Sequence, residues 1–244
     1  MIDSDQSSRR VFLRKAAIAS GGMLVMGLPA ESRGAARSQP TSAAANKTAA
    51  EGISPAEDLM REHGALARIL LAYDEAARRI EAKAALPPEP LAKATDLVRR
   101  FVQEYHEKLE EDFLFPRFEK AGKLADLTDL LRAQHRVGRR VTDEISRRAT
   151  ETAIKSPDES RKLVESLRAF TRMYRPHKAR EDTVLFPAFH TIVSPREYDA
   201  LGDEFEDREH DLFGANGFEK VVEEVAAIEK TLGLYDLAQF TAQV

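Results

Sequence analysis

Apolar positions step along most of this chain by alternating fours and threes. From residue 55, Leu59, His63, Leu66, Leu70, Tyr73, Ala77 and Ile80 fall on one stripe, the spacing of a helix that buries a single face in a bundle. Similar stripes run through Val98, Val102, His106, Leu109, Glu110 and Phe113, and through Leu124, Leu127, Leu131, His135, Gly138, Thr142 and Ile145. A fourth runs through Leu163, Leu167, Phe170, Tyr174, His177, Glu181 and Val184. They predict helices over about 55–83, 89–120, 123–150 and 157–190. Two more are expected over about 194–214 and 218–232, the last amphipathic through Val222, Val225 and Leu232. No strand pattern competes, and no long repeat is visible. The expected fold class is all-α, an up-down-up-down four-helix bundle over 53–191 with a C-terminal helical extension over 192–244.

The phrase Ser-Pro-x-Glu occurs at 54–57, 156–159 and 194–197. Each reads as a capping box with proline at the first helical position, where a missing N–H costs nothing. Gly122 is the stop signal of the second helix. Pro116, Pro176 and Pro187 are expected to kink or end turns.

Composition narrows the function classes. The 244 residues contain no Cys, which removes thiolate metal sites, iron–sulfur clusters, Cys nucleophiles and disulfides. A net charge of −4 argues against a nucleic-acid partner. The start of the chain differs from the rest. Arg9 and Arg10 precede Val11, Phe12 and Leu13, and a short, mostly apolar run extends from Ala16 to Leu28. The run is too short to span a bilayer and reads as a signal-peptide core. The segment SRRVFLRK resembles the bacterial twin-arginine export signal. Residues 1–37 are therefore read as a leader, with cleavage after Ala30 or within 34–36, and residues 38–52 as a low-complexity linker. The leader carries +3, which leaves −7 on the rest of a chain whose total is −4. The resemblance implies a partner, the twin-arginine translocase, and a periplasmic or secreted location. It also implies passage in the folded state, often with a cofactor inserted.

Four of the six His lie inside the hydrophobic stripes. A buried imidazole needs a hydrogen-bond partner or a metal. Along alternating antiparallel helices, His63, His106, His135 and His177 all fall roughly 9–15 residues from the same end of the bundle, a spread on the order of 9 Å. One His per helix thus reaches a single layer. Glu110 and Glu181 lie four residues after His106 and His177, which turns each pair to one face. Four imidazoles and two carboxylates without thiolate suit Fe, Mn or Zn, and they suit a pair of cations, because a shared carboxylate neutralises charges that would otherwise repel.

These residues resemble the hemerythrin-like (HHE) family of non-haem di-iron proteins. The family pattern is His, then His-x-x-x-Glu, on each of two successive helix pairs. Here it would be met by His63, HEKLE at 106–110, His135 and HKARE at 177–181. The two segments HEKLEEDFLFP (106–116) and HKAREDTVLFP (177–187) also share their Leu-Phe-Pro ending. The resemblance implies metal ligation by His63, His106, Glu110, His135, His177 and Glu181. The implied cofactor is two iron ions, carboxylate- and oxo-bridged; nitrogen and oxygen donors alone also accept Mn or Zn. Oxygen-carrying relatives use a fifth His and place His-x-x-x-His on the third helix, where position 139 here is Arg. Their last motif ends in Asp at i+5, an offset that Asp182 would meet, but i+5 points well away from the His on a regular helix. The missing His shifts the expectation from O₂ carriage toward reaction with O₂, peroxide or NO, or sensing of them, with a separate redox partner. The alternative is iron storage or a purely structural bundle. Glu107, Tyr73, Tyr105 and Tyr174 are candidates to complete a coordination shell. His190 and His210 are expected away from the centre, and Gly138 is expected to allow close helix approach or a small ligand.

Overall fold

The computed structural model describes residues 53–242. The expected leader and linker, 1–37 and 38–52, lie outside the described residues, and with them the export reading.

Helix α1 is Pro55–Glu81. Helix α2 spans 88–121 as one rod of five segments: α-helical Pro88–Leu97, π-helical Val98–His106, α-helical Glu107–Leu109, π-helical Glu110–Leu114 and α-helical Phe115–Ala121. Helix α3 is Ala125–Arg148 and the short α4 is Glu151–Lys155. Helix α5 spans 157–189, as α-helical Pro157–Arg180, π-helical Glu181–Leu185 and α-helical Phe186–Phe189. Helices α6 (Pro195–Phe213) and α7 (Gly217–Leu232) follow, and a short 3-10 helix, Leu237–Phe240, completes the order. Among the described residues there is no strand. Helix α1 packs on α2 and α5, and α3 packs on α2 and α5, which closes a four-helix ring. The all-α bundle expected from the stripes is thus the fold.

The stripes become the core. Leu59, Leu66, Leu70, Tyr73, Ala77, Leu131, Ile145, Leu163, Leu167 and Phe170 are all buried; each large side chain contributes roughly 1.5–3 kcal/mol by leaving water. The C-terminal pair belongs to the same core. Leu201 and Phe205 of α6, and Val221, Val225, Ile228 and Leu232 of α7, are buried where the pair lies over α1 and the first part of α2. Arg68 of α1 forks onto Glu229 of α7, with Nε to Oε1 at 3.0 Å, and Arg79 donates to the Leu232 carbonyl at 2.7 Å.

Three local expectations change. The prolines do not break the rods. Phe115 N–H donates to the Glu110 carbonyl and Phe186 N–H to the Glu181 carbonyl, both five residues back. These wide turns absorb the misfit that Pro116 and Pro187 would impose on a regular helix. They also rotate the helix beyond them, so Leu114 and Leu185 are fully buried, whereas Phe113 and Val184 are only partly so. Pro176 stays inside α-helical Pro157–Arg180. Secondly, the third helix stops at Arg148, and α4 starts behind a Thr150 cap whose hydroxyl accepts from Ala153 N–H at 3.2 Å. Thirdly, Ser54 and Ser194 accept from Glu57 and Glu197 N–H, each at 3.2 Å, but the Ser156 side chain makes no cap bond. Glu159, its expected partner, turns instead to Arg148 and Lys162.

This difference is measurable. Ser194→Ala should lower unfolding free energy by about 1 kcal/mol, and Ser156→Ala by less than about 0.5 kcal/mol, in urea titrations monitored by circular dichroism.

Candidate metal centre

One layer of the bundle brings together all six residues singled out in the sequence. His63 and His106 face each other with Nε2 atoms 3.0 Å apart, and His135 and His177 do the same at 3.2 Å. Two carboxylates join the pairs. Glu110 turns Oε1 to His106 Nε2 (3.7 Å) and Oε2 to His135 Nε2 (3.4 Å). Glu181 turns Oε2 to His63 Nε2 (3.4 Å) and Oε1 to His177 Nε2 (3.1 Å). Each carboxylate therefore offers one oxygen to each histidine pair. Donors about 2.1 Å from one ion at right angles lie about 3 Å apart, so two adjacent groups of this spacing suit two cations. All four oxygens of Glu110 and Glu181 are buried without a hydrogen-bond partner. An orphaned buried carboxylate is costly; a cation between the histidines would remove the cost, and the donor set fits one.

The outward nitrogens are also held. His63 Nδ1 meets Asp182 at 2.7 Å, His106 Nδ1 meets Glu62 at 2.7 Å, His135 Nδ1 meets Glu111 at 3.1 Å and His177 Nδ1 meets Gln134 at 2.8 Å. Such partners fix tautomer and ring orientation and raise the donor strength of the other nitrogen. The layer has an approximate two-fold arrangement. Residues offset by 71 or 72 positions play matching parts: Glu62 and Gln134, His63 and His135, His106 and His177, Glu110 and Glu181, Glu111 and Asp182. Phe115 stacks on His135 with centroids 5.7 Å apart, and Phe186 stacks on His63 at 5.5 Å. This is the structural role of the shared Leu-Phe-Pro ending, which walls the layer from water.

Burial shapes the titrations. It pushes His63 and His177 down to about 3 and lowers His135. Burial opposes the charge on His106 as well, but the Glu110 charge and the Glu62 hydrogen bond outweigh it and raise this His to about 10. Burial holds Glu110 and Glu181 well above the usual carboxylate range, aided at Glu110 by the Glu181 charge and at Glu181 by the charges of Glu107 and Asp182.

The remaining candidates fall around the layer. Asp182 holds His63 from outside, in keeping with its i+5 offset from His177. Glu107 accepts from Tyr174 Oη at 2.6 Å and from Arg139 at 2.8 Å, and Arg139 also donates to Glu111 at 2.7 Å. Tyr174 sits beside His177, with ring centroids 5.2 Å apart. Tyr73 bonds Thr95, and Tyr105 reaches the Phe205 carbonyl, so both are engaged elsewhere. His190 and His210 are exposed. At Gly138 a Cβ would lie 2.0 Å from Tyr174 Oη; the notch is filled by that phenol and not by a ligand. The sequence pattern did not single out Glu62, Glu111 or Gln134. The signal was present: an acid or amide precedes His63 and His135, and an acid comes directly after Glu110 and Glu181. Beyond Glu62, Asp58 and Glu209 bring buried carboxylate oxygens within 4.8 Å of one another and of Glu62.

The family model described as the hemerythrin HHE cation binding domain matches residues 54–189, and a second, overlapping match covers 126–243. Uncharacterized proteins of Mycobacterium tuberculosis and Mycobacterium bovis are 47% identical over 189 residues, which is 78% of this chain and 74% of each relative. No solved structure matches significantly.

Two outcomes test the geometry. Gly138→Ala should displace Tyr174 and cost about 1–3 kcal/mol in denaturant titrations. For metal-free protein, His63 and His177 titrate near 3 in the fold against about 6.5 unfolded. The unfolded chain takes up protons first, so stability present above pH ~6.5 is lost as pH falls toward 3. His106, raised to about 10, acts in the opposite direction: its contribution is complete below pH ~6.5 and is lost as pH rises through about 10. Glu110 and Glu181, raised by burial, act in the same direction as His106 and oppose the two imidazoles on the acid side. Urea midpoints of chelator-treated protein should therefore fall as pH rises above neutrality; midpoints that hold or rise there would contradict the raised His106.

Proposed function

This chain belongs to the hemerythrin HHE cation-binding family, and on that premise we propose that it is an exported non-haem di-iron protein that binds or reacts with O₂, peroxide or NO. The observation that carries the proposal is the pair of buried carboxylates: Glu110 turns one oxygen to His106 and the other to His135, and Glu181 turns one to His63 and the other to His177. These six side chains would hold the two ions. Iron there supplies redox equivalents and an open position for a small ligand.

The chain's own residues do the rest. Phe115 and Phe186 cover His135 and His63, and with the buried Leu114 and Leu185 they exclude bulk water from the layer. Glu107 and Tyr174 place a carboxylate and a phenol, joined at 2.6 Å, beside the His135–His177 half. Arg139 occupies the position where oxygen carriers resembling this chain have their fifth His, and it is committed to Glu107 and Glu111. Fewer imidazoles leave more open coordination, which favours turnover over reversible carriage. Export is proposed from the Arg9-Arg10 segment; Arg9→Lys with Arg10→Lys should retain the protein in the cytoplasm in cell fractionation.

The direct test is iron analysis, then anaerobic mixing of reduced protein with O₂, hydrogen peroxide or NO in a stopped-flow spectrometer. About two irons per chain and a spectral change with at least one ligand are expected. Glu181→Gln should lower bound iron to about one per chain or less. Full iron loading with no response to any of the three would favour storage instead.

A further inference from the structure

The two-fold arrangement of the centre is broken in its outer partners. On the His63–His106 half both outward nitrogens meet carboxylates, Asp182 and Glu62. On the His135–His177 half one meets the neutral amide of Gln134, and the other meets Glu111, which also receives Arg139 and Lys108, each at 2.7 Å. Glu107, the other acid near His135, pairs with the same Arg139 at 2.8 Å. The positions matching Arg139 and Lys108 in the other half are Ala67 and Ala179. No Lys or Arg among the described residues pairs with Glu62 or Asp182. Arg61, next to Glu62 in the chain, lies over the Phe218 ring. Lys178, which matches Glu107, lines a surface groove with Arg68 and Arg175.

A carboxylate on the outer nitrogen makes an imidazole a stronger donor, and its charge attracts the ion through a poorly screening interior. An amide, or a carboxylate already neutralised by two cations, does so far less. Resting on the binuclear reading above, we propose that the two cation positions are unequal by construction. The His63–His106 half is the tight, first-filled site, and the His135–His177 half is the labile site where metal exchanges. Glu62 and Asp182 strengthen one half; Gln134 and the Arg139 clamp on Glu111 weaken the other.

Zinc(II) is a suitable probe because it has no redox chemistry. Calorimetric titration of the metal-free full chain should show two steps separated by about 10–100-fold. His177→Ala should keep the tight step, and His63→Ala should remove it. Glu62→Gln keeps an acceptor for His106 but loses the charge, and should weaken the first step by about 10-fold or more. Gln134→Glu, nearly isosteric at a half-buried position, should strengthen the second step by a similar factor, and circular dichroism checks that each variant folds. The proposal is overturned if the two steps are equal in the parent protein, if His177→Ala rather than His63→Ala removes the tight step, or if neither Glu62→Gln nor Gln134→Glu changes the separation. Saturation at one zinc per chain would sink the binuclear reading itself, whereas two equal steps would leave it standing.

Discussion

Two carboxylates fully inside a helical bundle, surrounded by imidazole nitrogens, are the constraint on which the structure turns. Glu110 and Glu181 have no hydrogen-bond partner for any oxygen, and burial, with the other acids around them, keeps both reluctant to ionise. A bundle core has strong reasons to avoid such a pair. Its presence makes sense where positive charge is delivered to the layer from outside, and the four Nε2 atoms converge on the place where that charge would sit. The surrounding features serve the same end. The wide turns begin at Glu110 and Glu181 themselves. The phenylalanines five residues later cover the opposing histidines, and each outer nitrogen has its own partner.

Much of this is legible in the chain. The four-three stepping placed His63, His106, His135 and His177 on core faces, and antiparallel order put them at one depth, because both derive from helix geometry alone. What escaped depends on side-chain reach or on departures from a regular helix. Glu62, Glu111 and Gln134 look like surface residues in a periodic pattern, and only the position of a neighbouring imidazole turns them inward. Leu114 and Leu185 replace Phe113 and Val184 on the inner face because of an inserted wide turn, which a fixed repeat does not anticipate. Ser156 carries a complete cap signature, yet ion pairs of Glu159 with Arg148 and Lys162 compete for the acid. The Gly138 notch filled by Tyr174 needs three dimensions to see.

The C-terminal helices extend the same logic. They read as an extension in the sequence, but α6 and α7 share the core of the bundle and cover α1 and α2. Glu209 of α6 comes close to Glu62, the residue that holds His106. The extension therefore bears on one half of the centre, the half whose outer partners are carboxylates, and the departure from two-fold symmetry runs from the outer shell into the tertiary packing.

The most direct test of the central claim is anomalous X-ray diffraction at the iron edge from crystals of the iron-loaded protein. Two peaks about 3.5–4 Å apart, one beside His63 and His106 and the other beside His135 and His177, with Glu110 and Glu181 spanning both, are predicted. A single peak at full occupancy, or metal bound only outside this layer, would contradict the account.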